Sequence, residues 1–242
     1  MLTQDDLERY QRQMMMPEIG YVGQQKLKNA KIFIAGVGGL GSASAIYLTS
    51  AGIGTIGIAD SDCVEKSNLH RQVIFSESDI GEEKAEVAKK NLMKMNSNIK
   101  INVHGKIDDN IINTINDYDI IIDCTDNFSA RYAINNACIA QRKHNIYGSV
   151  VRFEGQLTVF MPSGPCYRCL FPMPPAGVQT CSEVGIFGAL AGMIGTMQSI
   201  EAIKLVVGKG EPMTNKLFIF DALNGEVKYL NLPKRKGCVC WK

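Results

Sequence analysis

The sequence predicts an α/β fold: a mainly parallel sheet, extended by antiparallel strands in its C-terminal part, with helices on both faces. Three observations carry this. Up to about residue 150, apolar and β-branched runs alternate with helical stretches. After Val150 the texture changes to period-two alternation. The chain of 242 residues, 45% of them hydrophobic, suffices for one large core. A single domain over 1–242 is expected, with parts 1–150 and 151–242 differing in texture.

The elements follow in order. The first thirty residues are polar-rich and helical, with Met14, Met15 and Met16 ahead of Pro17. Lys31 to Ala35 reads as a strand, Gly39 to Ala51 as a helix of small residues suited to close packing, and Thr55 to Ala59 as the next strand, a β-α-β unit. Ile99–Val103, Tyr118–Asp123 and Asn145–Val150 continue as strands, separated by helices around Glu82–Met95 and Phe128–Arg142. Beyond them Arg152–Phe160, Lys216–Phe220 and Glu226–Leu230 alternate like antiparallel strands, and a Pro/Cys-rich loop covers Pro162–Thr180. Glu183–Val207 is a long apolar helix. Its run from Val184 to Ile200 contains four glycines and Gln198 and is followed by Glu201 and Lys204, so a buried helix is expected rather than a membrane span.

Composition excludes some classes. With 26 basic and 24 acidic residues the net charge is +2, which gives no whole-chain argument for nucleic acid or a membrane surface as partner. The opening MLTQDDLERYQRQ has acids and no apolar segment, so no secretory leader and a cytoplasmic setting are expected. Eight cysteines are accordingly expected as thiols or metal ligands rather than disulfides.

The stretch IFIAGVGGLGS, residues 32–42, places G-x-G-x-x-G between a strand and a helix, a Rossmann-like arrangement. Gly36 allows the tight turn, Gly38 and Gly39 permit backbone approach to phosphate, and Gly41 lets the helix pack close. Asp60, nineteen residues past Gly41, is placed to take ribose hydroxyls. On this alone NAD is the favoured ligand, and a packing turn that binds nothing stays open. The next stretch, DSDCVEKSNLHRQ from Asp60 to Gln72, adds acids and Arg71; GEEK adds Lys84 on the first turn of a helix; DCTDN, with Asp126, ends an apolar strand. Hydride transfer has no need of them.

The series ERYQRQ, GVGGLGS, D-x-D-x-V-x-x-SNLHRQ, G-x-x-K, DCTDN, CYRC and GCVCW resembles the ThiF/MoeB/HesA family of adenylyltransferases, single-domain bacterial relatives of the ubiquitin-activating enzyme. The resemblance runs from about Arg9 to Cys240. It implies ATP in the glycine turn, residues 1–150 as the nucleotide-binding part, and 151–242 as the zinc-bearing, carrier-binding part. The family activates the C-terminal glycine carboxylate of a ubiquitin-like sulfur-carrier protein of the ThiS or MoaD type, ending in Gly-Gly. The product is an acyl-adenylate, formed with release of pyrophosphate, ahead of thiocarboxylate formation in thiamin or molybdenum cofactor biosynthesis.

A terminal carboxylate has a pKa of roughly 3.5, so the nucleophile is already ionised and needs no general base. The demand is for cations and a metal around the phosphates. The resemblance implies that Gly39 and its neighbours Gly36, Gly38 and Gly41 approach the phosphates and that Asp60, with Asp62, serves the ribose. It implies nucleotide contacts from Ser67, Asn68, Leu69, His70, Arg71 and Gln72, and neutralisation of phosphate charge by Arg71 and Lys84. Asp126, with Asn127 beside it, would position Mg²⁺. Arg12 matches an arginine that reaches the ATP of the other subunit, which implies a homodimer. A sulfur donor protein is the further expected partner. Competing readings are an NAD-dependent oxidoreductase, which leaves Arg71, Lys84 and Asp126 unexplained, and an inactive module that binds a ubiquitin-like tail, against which those same three residues speak.

Cys166 and Cys169 form C-x-x-C, a spacing suited to zinc. The family pairs it with a second C-x-x-C, where this sequence has the shorter Cys238-Val239-Cys240. Sulfurs on a tetrahedral zinc lie about 3.8 Å apart, a gap two side chains across one residue can meet, so a structural Zn²⁺ on Cys166, Cys169, Cys238 and Cys240 is expected. Free thiols are the alternative. Cys181, just before the long helix with Ser182 as its expected cap, matches the family's crossover-loop cysteine, and a covalent role or an inert thiol both stay open. Cys63, Cys124 and Cys138 read as core fillers.

Overall fold

Along the first strand, Ile32 and Ile34 enter one hydrophobic cluster and Phe33 and Ala35 another, so the sheet is buried on both faces. The computed structural model describes residues 1–108, 110–174 and 184–241. Five strands, β1 (Lys31–Ala35), β2 (Thr55–Ala59), β3 (Lys100–His104), β4 (Ile120–Asp123) and β5 (His144–Val151), run parallel in the order β3-β2-β1-β4-β5. β6 (Glu154–Phe160), β7 (Lys216–Asp221) and β8 (Glu226–Asn231) continue the sheet antiparallel, giving eight strands. The described helices are α1 (Gln4–Arg9), α2 (Gln11–Met14), α3 (Gly20–Asn29), α4 (Gly39–Ala51), α5 (Lys84–Met95), α6 (Ile111–Thr114), α7 (Phe128–Gln141), α8 (Tyr167–Leu170) and α9 (Gly188–Val207).

One face packs against α3, α4, α5 and α9 through Leu27, Leu48, Leu92 and Ile194; the other against α6 and α7 through Ile111, Ile134 and Ala137. The expected fold class therefore holds. α9 is the one described helix long and apolar enough to cross a membrane, with a mean hydropathy of 1.3, and half of that window is buried. It lies on α4 so closely that a side chain at Gly195 would collide with the Leu40 carbonyl, and Ser44 Oγ donates to Gly195 O at 2.8 Å. Gln198 on α9 donates to the carbonyls of Asp123 and Ile146, tying the helix to β4 and β5.

Two boundaries correct the sequence reading. α9 begins at Gly188 with Phe187 as its N-cap, later than expected, while Ser182 and Glu183, the expected cap and first residue, lie outside the described residues. The reason is tertiary: Ile186 bridges Arg152 and the Phe187 amide donates to Arg152 O at 3.0 Å, which holds this segment extended. The Pro/Cys-rich stretch is not all loop, because α8 occupies Tyr167–Leu170.

Candidate functional site

A cleft of about 520 Å³ opens at the carboxyl ends of the parallel strands, where chain connections leave β1 and β4 in opposite directions along the sheet. Gly36 forms its inner turn with φ +89°, and a Cβ there would lie 3.1 Å from the Cys124 carbonyl. Gly38 is the N-cap of α4 and has no side chain to satisfy the first-turn amides, which leaves that helix end suited to an anion.

Asp60 directly follows β2, opposite this turn. Its carboxylate accepts from the Val37 amide at 2.8 Å and the Asp62 amide at 3.0 Å. Burial pushes its pKa up, with those two amides and Lys84 opposing.

Lys84 is the first residue of α5, held by its amide to Asp62 O at 2.9 Å and by the Cys63–Glu83 bridge. Its Nζ donates to Asp62 Oδ2 at 3.0 Å; the lysine side chain is 7% exposed and the aspartate 71%. A cation at the positive end of a helix dipole is an arrangement that an anion in the cleft would stabilise. Arg71 follows the turn at Lys66–Asn68, with Nη1 donating to Ser67 O at 3.0 Å and lying 2.8 Å from His70 Nε2. Asn68 and Gln72 are 7% and 3% exposed, yet Asn68 Oδ1 and Gln72 Oε1 have no hydrogen-bond partner among the described residues. Both side chains line the cleft, though these two oxygens are themselves buried.

At the far wall Asp126 is exposed, beyond the end of β4. Asn127 caps α7, accepting from the Ala130 amide at 2.9 Å, and its Nδ2 lies 3.4 Å from Asp126 Oδ1.

A second constellation lies on the C-terminal part. The Sγ atoms of Cys166, Cys169, Cys238 and Cys240 all fall within 4.8 Å of one another, with Cys166–Cys238 at 3.6 Å and Cys169–Cys240 at 3.5 Å. These are close to the roughly 3.8 Å edges of a zinc tetrahedron. Burial pushes the Cys166 thiol up to about 11 and raises Cys240 as well, whereas Cys238 is held at about 7, against burial, by the Cys240 amide and neighbouring thiols. Four such sulfurs, mostly buried, are suited to a dication that would remove their protons. The shorter C-x-C therefore still closes a four-sulfur set.

Residues 10–241 match the ThiF family. The chain is a ThiF-family protein. The Drosophila yakuba protein "Adenylyltransferase and sulfurtransferase MOCS3" is 44% identical over 246 residues, which cover 99% of this chain and 54% of that protein. The chain thus spans about half the length of the curated relatives it matches. Among solved structures, E. coli MccB with MccA-N7isoASN superposes with a TM-score of 0.86 at 25% identity, covering 97% of this chain and 75% of that one. E. coli MccB with ATP gives 0.79 at 27% identity, covering 91% and 68%.

In this ThiF-family chain the cleft gathers Gly36, Gly38, Gly39, Asp60, Asp62, Asn68, Arg71, Gln72, Lys84, Asp126 and Asn127 from the expected set. Four expected nucleotide contacts lie off its wall. Gly41 sits beneath the Gly36 carbonyl, where any side chain would collide, so it serves packing. Ser67 Oγ donates to Glu65, Leu69 packs on the main core, and the His70 ring is exposed beside Arg71. Arg12 is exposed on α2, away from the cleft, with no hydrogen bond or ion pair among the described residues. Cys181 lies outside the described residues. Cys124 and Cys138 are buried as expected, but Cys63 is exposed and lines the cleft because it lies in the segment that pairs with Glu83.

Sequence reasoning missed Arg131, Ser149, Thr125, Lys106 and Ile107, all on the cleft wall. Arg131 alone carried a signal: it is a charge in an otherwise small and apolar stretch of α7, four residues after the capping Asn127.

Proposed function

We propose that this chain is an ATP-dependent adenylyltransferase acting on the C-terminal glycine carboxylate of a ubiquitin-like sulfur-carrier protein, ThiS- or MoaD-like, in preparation for thiocarboxylate formation. The observation that carries the reading is the convergence of Arg71, the buried Lys84 and the uncapped start of α4 on one cleft. That charge suits a triphosphate, and hydride transfer makes no use of it. Support also comes from the relatives: the MOCS3 proteins bear the name adenylyltransferase, and MccB has been crystallised with ATP.

In this reading Asp60, fixed by the Val37 and Asp62 amides, accepts from the ribose. Asn68 and Gln72 line the wall beside it. The α4 amides, Arg71 and Lys84 neutralise phosphate charge as the carboxylate approaches the α-phosphorus and pyrophosphate departs. Asp126 offers a hard oxygen donor suited to Mg²⁺, which would supply further charge neutralisation. Asn127 orders the start of α7 rather than offering its amide oxygen, which is already engaged.

The cysteine set would hold a structural Zn²⁺ joining the 238–240 segment to the α8 loop. Residues 1–150 would bind nucleotide and 151–242 the carrier, for which the edge strand β8, exposed at every residue, offers a free sheet edge. A homodimer in which Arg12 reaches the partner's cleft, a sulfur donor protein and a cytoplasmic setting complete the proposal. The deciding experiment is ATP–pyrophosphate exchange with ThiS-like and MoaD-like carriers. Exchange that requires the terminal Gly-Gly of one of them is expected; no exchange with either would overturn the reading.

A further inference from the structure

β4 ends in Asp123, whose carboxyl is fully buried; Oδ1 accepts from the Thr125 amide at 3.0 Å and from Thr125 Oγ1 at 2.7 Å. On its other side the same Thr125 residue is gripped through its carbonyl, which accepts from Arg131 Nη2 at 2.7 Å and Nε at 3.2 Å. Thr125 is thus held at its amide, its hydroxyl and its carbonyl, and the held carbonyl opens the peptide that delivers Asp126 to the cleft.

Arg131 is itself fixed. Nη2 also donates to Ser149 Oγ on β5 at 3.2 Å, and the guanidinium lies 5.2 Å from the centre of the Tyr147 ring. The residue is 8% exposed and has no carboxylate within ion-pair distance among the described residues. Burying such a charge costs stability, and an apolar side chain of similar volume would fill the space more favourably. Its forked donors do what no apolar group can: they hold at once a carbonyl in the loop that follows β4 and a hydroxyl on β5. The helix that carries it also anchors the cysteine loop, since Asn135 Oδ1 accepts from the Tyr167 amide at 2.8 Å and Tyr132 donates to Phe171 O at 2.9 Å.

We propose that Arg131 is a positioning residue for the adenylation reaction, acting through the Thr125 carbonyl to aim Asp126 into the cleft. The proposal rests on the adenylation reading. Its Nε and Nη2 donors are engaged by protein groups, so it acts on the approach to the transition state more than on nucleotide affinity.

The test compares wild type, Arg131→Met, Arg131→Lys and Ser149→Ala in carrier-dependent pyrophosphate exchange and in amide hydrogen exchange of residues 125–127. For Arg131→Met the expected result is a fall in kcat of about tenfold or more, with KM for ATP within about threefold of wild type. Amides 125–127 should exchange at least about tenfold faster while those of β1 keep their protection. Arg131→Lys, which can reach one acceptor, should recover part of kcat, a rescue that simple loss of folded protein would not show. Should Arg131→Met fail to fold, Ser149→Ala is expected to give the same signature at about two- to threefold.

Unchanged kcat and unchanged amide protection in the folded variants would overturn the proposal. So would a rise in KM with kcat kept, which would make Arg131 a nucleotide contact. Absence of exchange in the wild type would defeat the adenylation reading, and the amide protection at 125–127 would still decide whether Arg131 holds the turn.

Discussion

Replacing Lys84 by Met separates stability from chemistry. The ammonium lies 3.0 Å from Asp62 Oδ2, with 7% exposure on the lysine side chain and 71% on the aspartate. At that distance the pair attracts by about 5–6 kcal/mol at an effective dielectric of about 20. Most of this is offset when the exposed carboxylate rehydrates, so the net stability cost should be about 1 kcal/mol or less. Methionine keeps the buried stem, adding no cavity. For activity the balance is different, because a cation facing developing charge in a water-poor cleft contributes about 2.7–4 kcal/mol to transition-state stabilisation. Exchange should therefore fall by about 10²- to 10³-fold. Urea midpoints and exchange rates on the same preparation make the comparison. A folded Lys84→Met protein exchanging within about threefold of wild type would refute the assignment of Lys84 to the phosphates.

Further outcomes follow from other parts of the molecule. Freshly purified protein should contain about one zinc per chain, and Cys240→Ser should lose most of it; less than about half an equivalent in the wild type would contradict the four-sulfur site. If sites are shared between subunits, Arg12→Ala and Lys84→Met proteins, each inactive, should regain exchange on mixing, and continued inactivity of a verified mixed dimer would rule sharing out. Asp6 titrates below its ordinary value of 3.8: burial alone would raise it, but the Lys28 ammonium and the Thr3 cap donors outweigh that. A lowered acid pKa contributes stability above the unfolded value that is lost as pH falls through the folded one. The melting difference between wild type and Asp6→Asn should thus be full at neutral pH, begin to shrink only as pH drops below about 3.8, and close once pH has passed the lower folded value; a gap unchanged across that range would contradict the linkage.

The sequence was most legible where local pattern and tertiary structure agree. β1, α4 and β2 occupy the ranges read from periodicity and glycine spacing, because strand, turn and helix there are dictated by neighbours in sequence. The start of α9 was illegible because Ile186 and Phe187 are held extended by Arg152, more than thirty residues upstream. In the cleft, the short motifs located Asp60, Arg71, Lys84 and Asp126. They could not separate Asn68 and Gln72, which face the cavity, from Ser67, Leu69 and His70 in the same run, since a turn rather than a regular strand sets those directions. Cys63 was misread as core because its apolar context belongs to Val64, which is 1% exposed, while Cys63 turns to the cleft. Arg131 was missed because its partners, Thr125 in the loop after β4 and Ser149 on β5, come together only in the folded sheet.

The central claim is that this cleft holds a nucleoside triphosphate and not a nicotinamide dinucleotide. Melting the protein with Mg²⁺ and ATP, and separately with NAD, tests it most directly. At a ligand concentration about 100 times Kd the stabilisation should be about 2.7 kcal/mol, seen with ATP and absent with NAD. A rise in Tm with NAD and none with ATP would contradict it.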